Sequence, residues 1–151
     1  MSLDVAVLQE SFSLVAAKET ELALHFYALL FERYPQTKPM FRRRTEEQAK
    51  MLTQALAAVV AHADDTAWLV ATLPPMGAKH VTYGVTVEMY DWVGECLLVA
   101  LADVCGDDFT PAVREAWTAA YGAIASLMQS GAASVSQRAE ASPASPLASS
   151  P

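Results

Sequence analysis

Few side chains in this sequence are equipped for chemistry. Three histidines are present, His25, His62 and His80, together with two cysteines, Cys96 and Cys105. His25 lies beside two apolar stripes of its helix and is expected to be exposed. His62 falls at a helix C-terminus, where the macrodipole favours an imidazolium. His80 differs, because it follows Pro74-Pro75 in the segment Met76-Gly77-Ala78-Lys79-His80-Val81, between apolar helices. Taken alone, such a residue is ordinarily a core or surface histidine. No second histidine or Cys-x-x-Cys pair stands near it, so a zinc site is poorly supported. A histidine without protein co-ligands suits a cofactor that brings its own four nitrogens, namely haem.

Other chemistries gain no support. The sequence has no Gly-x-Ser-x-Gly elbow, no phosphate-cradling glycine loop and no dinucleotide fingerprint. Arg42-Arg43-Arg44 is the one basic cluster, followed at once by Glu46 and Glu47, on a chain of formal net charge −7. That balance argues against nucleic-acid binding. The most apolar run, Trp92 to Cys105, carries Glu95 and Asp103 and falls short of the roughly 20 residues a bilayer needs. No basic leader precedes Asp4 and Glu10, so no secretory signal is expected. Cys96 and Cys105 share one expected helix, about 13 Å apart on opposite faces, and cannot bridge within it. Two unbridged thiols fit a reducing, cytoplasmic setting.

The elements that must position His80 are helical. Of 151 residues, 53% are hydrophobic and 18% charged, against about 25% charged in ordinary domains. Alanine, the best helix former, is abundant. Neither Gly nor Pro occurs in residues 1–34 or 40–73, apart from Pro35 and Pro39 between those stretches. Only helices would fill such segments, and an all-β fold lacks its turn signals. Helices are expected from Ser2, as cap, to about Lys18, from Glu19 to Tyr34, and from Thr45 to Ala61. Pro35–Phe41 reads as a tight turn. A helix from Asp64 to Leu73 should end at Pro74-Pro75, leaving a short stub around His80. Two more should run from Thr86 to Cys105 and onward from Thr110-Pro111, a cap followed by proline at the first helical position. From Ser130 the composition turns to Ser, Ala and Pro, so residues 1–129 are expected as one domain and 130–151 as a disordered tail without a partner motif. The fold class is all-α.

The order and spacing of several segments resemble the globin domain of flavohaemoglobins and the free-standing bacterial globins of that branch, over residues 3–129. Phe26-Tyr27, Leu30-Phe31, Tyr34-Pro35 and Pro39-Met40-Phe41 resemble helix B and the turn after it. Met76 to Val85, with Tyr90 and Val93-Gly94, resembles the proximal helix and the start of helix G. Ala116-Trp117 with Ala120-Tyr121-Gly122 resembles helix H. The resemblance implies a globin fold, helices A–H around a haem b pocket, with His80 as proximal iron ligand. A backbone carbonyl would hold its other N–H. Phe41 would pack on the porphyrin, Leu52, Val85 and Val93 would line the pocket, and Tyr90 would lie near His80. Lys79 and the Arg42–Arg44 run would face the propionates. Tyr27 and Gln48 would stand on the distal side, offering a phenol O–H and an amide N–H to an electron-rich diatomic ligand.

Alternatives remain at individual positions. Gln48 follows Thr45 by three residues, which is also capping-box spacing, and Tyr27 could be an ordinary core tyrosine. The family's late helix-H glutamate aligns with Ala132, so peroxidase-type activation is weakened. The function implied is reversible binding of O2, and of NO or CO. The rivals are nitric oxide dioxygenation fed by an external reductase and a haem-free helical interaction module.

Overall fold

The structure, a computed structural model, describes residues 4–18, 20–41 and 43–141, and the side chains among them up to residue 134. Six α-helices follow one another: α1 (Val5–Ala16), α2 (Glu21–Arg33), α3 (Thr45–Ala61), α4 (Thr66–Thr82), α5 (Val87–Cys105) and α6 (Pro111–Ala141). Short 3₁₀ turns occupy Pro35–Met40 and Gly106–Asp108. No strand occurs among the described residues.

Local chemistry accounts for most boundaries. Asp4 caps α1 by accepting from the Val7 N–H at 3.2 Å. Ser2, the expected cap, lies outside the described residues. Asp65 accepts from the Trp68 N–H at 3.1 Å to start α4. Thr110 accepts from the Val113 N–H at 3.3 Å to start α6, with Pro111 at the first helical position. Proline 35 ends α2 and opens the 3₁₀ turn.

Two expectations fail. Pro74 and Pro75 do not break the chain, because both lie inside one continuous helix α4. Each proline deprives a carbonyl four residues earlier of its donor, those of Val70 and Ala71. Both residues are exposed, Val70 at 52%, so the lost bonds fall where water can replace them. The second failure is the boundary at Ser130. Helix α6 continues to Ala141, and Gly131 is buried. The Ser- and Ala-rich stretch keeps good helix formers, and a specific contact engages its first turn. The rest of the expected tail, residues 142–151, lies outside the described residues.

That contact is between backbones. A Cβ on Gly131 would collide with the Pro74 carbonyl, and a Cβ on Gly77 would collide with the Met128 carbonyl. The pairs 74/131 and 77/128 run in opposite senses, so α4 and α6 cross antiparallel with glycine at each close point.

The central core gathers Leu8, Phe12, Val15, Phe26, Leu30, Leu101 and Trp117, from α1, α2, α5 and α6. Within it the Trp117 indole N–H donates to Ser11 Oγ at 2.8 Å, and Ser11 Oγ donates to the Val7 carbonyl at 2.7 Å. This relay lets a polar serine, 4% exposed, sit between α1 and α6 without an unsatisfied group. Helices α2 and α5 are tied at the surface. Arg33 pairs with Glu95 at 2.7 Å, the Tyr34 hydroxyl donates to the same carboxylate at 3.0 Å, and Tyr34 stacks on Trp92 at 4.6 Å. Cys96 and Cys105 are free. Replacing Ser11 with Ala strands a buried indole N–H. Urea unfolding of the full chain should then show a loss of about 1–3 kcal/mol, whereas Ser13→Ala on the exposed face of α1 should change little.

Candidate functional site

His80 occupies the last turn of α4 and is half-buried. Its Nδ1 lies 2.6 Å from the Met76 carbonyl oxygen, one turn earlier. A carbonyl can only accept, so Nδ1 is a protonated nitrogen, and in the neutral ring Nε2 is the atom with a lone pair for a metal. The Tyr83 ring meets the imidazole edge-on at 5.5 Å.

The helix end beyond His80 is itself well made. Gly84, at φ 92°, adopts the left-handed conformation that favours glycine. The Gly84 N–H donates to the Val81 carbonyl at 3.0 Å and the Val85 N–H to the His80 carbonyl at 3.2 Å. This pair of bonds is a Schellman motif, and it fixes where Val85 leaves the helix. Val85 is half-buried and Lys79 exposed. Met40, ending the 3₁₀ turn, reaches this corner, its Cε 3.9 Å from the place of a Gly84 Cβ.

A second group forms around Tyr27 of α2. Its ring, 6% exposed, contacts Phe26 at 5.1 Å, Phe31 at 5.8 Å and Phe41 at 5.3 Å. Phe31 and Phe41 meet at 5.4 Å. Leu52 of α3 and Val93 of α5 pack against the same core. The Tyr27 hydroxyl makes no hydrogen bond among the described residues, and burial alone pushes its pKa up to about 12. It therefore stays a neutral O–H donor through the physiological range.

Gln48 lies on α3, one turn before Leu52, and is half-buried. The capping-box alternative for it fails. Arg44 takes the N-cap position, Thr45 is already the first helical residue, and no side chain caps this end.

Tyr90, in the first turn of α5, is 8% exposed, and its hydroxyl is buried without a partner. Burial pushes its pKa up. Its backbone carbonyl accepts from the Tyr121 hydroxyl at 2.6 Å. The Tyr121 ring lies on Gly94, where a Cβ would come within 2.7 Å of Cε2. Tyr121 is the residue whose role the sequence left unread. Only its four-residue step from Trp117 and a glycine on the facing helix signalled it.

The other histidines stand apart. His25 Nε2 lies 2.7 Å from Asp103 Oδ2 at the surface. His62 follows α3, its Nδ1 2.9 Å from the Ala58 carbonyl and its ring stacked on Trp68 at 4.0 Å. Among the described residues no group of three His, Cys, Asp or Glu side chains could hold a metal ion. No helix among them is long and apolar enough to cross a membrane.

An imidazole with a free Nε2, set by a carbonyl on its other nitrogen, fits the donor set haem requires of a protein. The buried hydroxyl of Tyr90, without a partner among the described residues, leaves a donor free for a group this structure does not contain. The Tyr27 pKa also sets a pH dependence. Below about pH 10 the phenol is neutral in both folded and unfolded chains, and its burial is undisturbed. Between about pH 10 and about 12 the unfolded chain ionises it and the folded chain cannot, so stability falls as pH rises. Urea titrations of the haem-free chain across that window should show a steeper loss for the wild type than for Tyr27→Phe. Parallel losses would contradict it.

The model of the Globin family matches residues 24–128. A flavohemoprotein of Rhodopirellula baltica is 35% identical over 126 residues, covering 82% of this chain and 31% of its own length. One from Vibrio cholerae is 32% identical over 120 residues, covering 78% and 30%. The chain thus spans about a third of the length of these relatives. An engineered carbene transferase derived from a Rhodothermus marinus protein assigned as a nitric oxide dioxygenase superposes with TM-score 0.76 at 31% identity, covering 91% of this chain and 97% of the other. A bacterial globin from Campylobacter jejuni superposes with TM-score 0.77 at 24% identity, covering 88% and 96%, and so shares the fold. The family match spans more than half of the chain, including the helices that carry Tyr27, Gln48, His80 and Tyr90, and the protein belongs to the globin family.

Proposed function

We propose that the protein binds haem b through His80 and uses the pocket to bind O2 reversibly. The observation that carries this reading is the 2.6 Å bond from His80 Nδ1 to the Met76 carbonyl, which leaves Nε2 as the ligand atom. When bound, haem supplies an iron with one coordination position left for a diatomic ligand such as O2, CO or NO. The chain's own residues do the rest. Phe41, Leu52, Val85 and Val93 offer apolar surface to the porphyrin and limit the entry of water. Lys79, with Arg43 and Arg44, supplies exposed cations for the propionates. Tyr27 and Gln48 donate hydrogen bonds to the electron-rich ligand and slow its departure.

The partner of His80 is a neutral carbonyl, and the position aligned with the family's late helix-H glutamate is Ala132, a pattern that suits binding better than peroxidase-type bond cleavage. Nitric oxide dioxygenation is a second reading, favoured by the likeness to the Rhodothermus marinus protein. In that reaction NO and O2 take up one electron to give nitrate, and an external reductase would be the electron source. The chain's thiols and its lack of a long apolar helix among the described residues accord with a cytoplasmic setting.

Purified protein should carry one haem per chain with a strong Soret band. A protein that takes up no haem would instead support a helical interaction module. Replacing His80 with Ala should abolish stable haem retention, and an unchanged proximal spectrum would refute the assignment. Tyr27→Phe and Gln48→Leu should each speed O2 release about tenfold, the equivalent of a hydrogen bond worth ~1.4 kcal/mol. Stopped-flow dissociation rates equal to wild type would remove both residues from the ligand's surroundings. Sustained nitrate production from the oxygenated protein, NO and a reducing system would favour the dioxygenase.

A further inference from the structure

Helix α4 contains two halves that are held differently. Before the prolines, Leu69 and Leu73 share with Leu56, Val60, Ile124 and Leu127 an apolar cavity of about 30 Å³. From Pro74 onward the contact with α6 closes to backbone distance at Gly77 and Gly131. Between the halves, Pro74 and Pro75 remove two rungs of the helix's own hydrogen-bond ladder. The orientation of the second half is then poorly enforced by the first.

His80 is one turn beyond Gly77, in that second half. With side-chain tips about 5–6 Å from a helix axis, a 10° rotation of the segment moves the imidazole by about 1 Å. We infer that the crossing of α4 and α6 at Gly77 and Gly131 is the positioning device for His80, setting the height and rotation of the imidazole from outside its own helix. This inference rests on the reading of His80 as the iron ligand. Both collisions a Cβ would meet are with backbone carbonyls, which cannot swing aside as a side chain can. A methyl group at either glycine must therefore displace the segment that carries His80. Gly122, on the same helix but exposed with nothing within 4 Å of a Cβ, provides the contrast.

The test uses the haem-loaded full chain with Gly131→Ala, Gly77→Ala and Gly122→Ala. The first two should keep haem, shift the iron–histidine stretching band of the ferrous ligand-free form and change the CO association rate by about threefold or more. Gly122→Ala should leave both signals as in wild type. A fall in Tm for Gly131→Ala and Gly77→Ala, with band and rate unchanged, would reduce the glycines to packing and overturn the inference. A wild type without an iron–histidine band would instead overturn the ligand assignment of His80. Should both variants fail to fold, amide hydrogen exchange on the wild type decides. Amides of residues 78–81 should be better protected than those of residues 67–73 and should open together with residues 127–131. Protection continuous along α4, independent of α6, would overturn the inference.

Discussion

The close approach of α4 and α6 is the constraint on which the remaining architecture turns. Two helices whose backbones touch leave no room for adjustment by rotamer changes, so their relative position is set by covalent geometry. Glycine makes this possible at a cost in helix propensity of about 1 kcal/mol per residue, and two prolines in α4 add to the local penalty. A helix so weakened must draw its order from tertiary contact. The buried crossing at Gly77 and Gly131 supplies that contact at the segment carrying the imidazole. Helix α6 also holds the opposite flank of this region, because Tyr121 rests on Gly94 and bonds to the carbonyl of Tyr90. One long helix thereby backs both residues expected on the proximal side.

The surroundings of Tyr27 follow a different principle. Tyr27 is enclosed by Phe26, Phe31 and Phe41, so its ring is located by aromatic contacts and its hydroxyl is left unengaged. Desolvation keeps that hydroxyl protonated, with a pKa about two units above that of an exposed phenol. The surroundings that make it a dependable donor also remove competing acceptors. An aromatic cluster thus locates the Tyr27 ring, whereas a backbone carbonyl orients the His80 imidazole by direct contact.

What the sequence discloses follows from the range of the interactions involved. Short-range chemistry was legible: Thr45 to Ala61 as a helix, the Pro35 stop and the Thr110-Pro111 start all appear as expected. Signals that depend on tertiary context were not. The Pro74-Pro75 pair reads as a break because its cost is local and the compensating contact with α6 lies more than fifty residues away. Ser130 reads as the start of a tail for the same reason. The Thr45–Gln48 spacing suggests a capping box, but helix α3 begins with Arg44 at the cap and leaves the glutamine unused. Of the candidate site, residue types and spacing set His80 apart from His25 and His62, and the resemblance to globins gave it its expected role. The hydrogen bond between Tyr121 and Tyr90 needed coordinates, since a backbone acceptor has no sequence signature.

The Tyr90 hydroxyl carries the last step. A buried phenol without a partner costs free energy that a core phenylalanine would not, on the order of 1–3 kcal/mol. Its backbone carbonyl is held by the Tyr121 hydroxyl, which sets where the ring leaves α5. The chain thus retains a buried donor, and the position aligned with the family's late helix-H carboxylate is Ala132. On the reading of His80 as iron ligand, this separates two functions that such a tyrosine could combine. Under that reading, position 132 brings no carboxylate to push electron density onto the imidazole, which accords better with the proposed reversible binding than with bond cleavage.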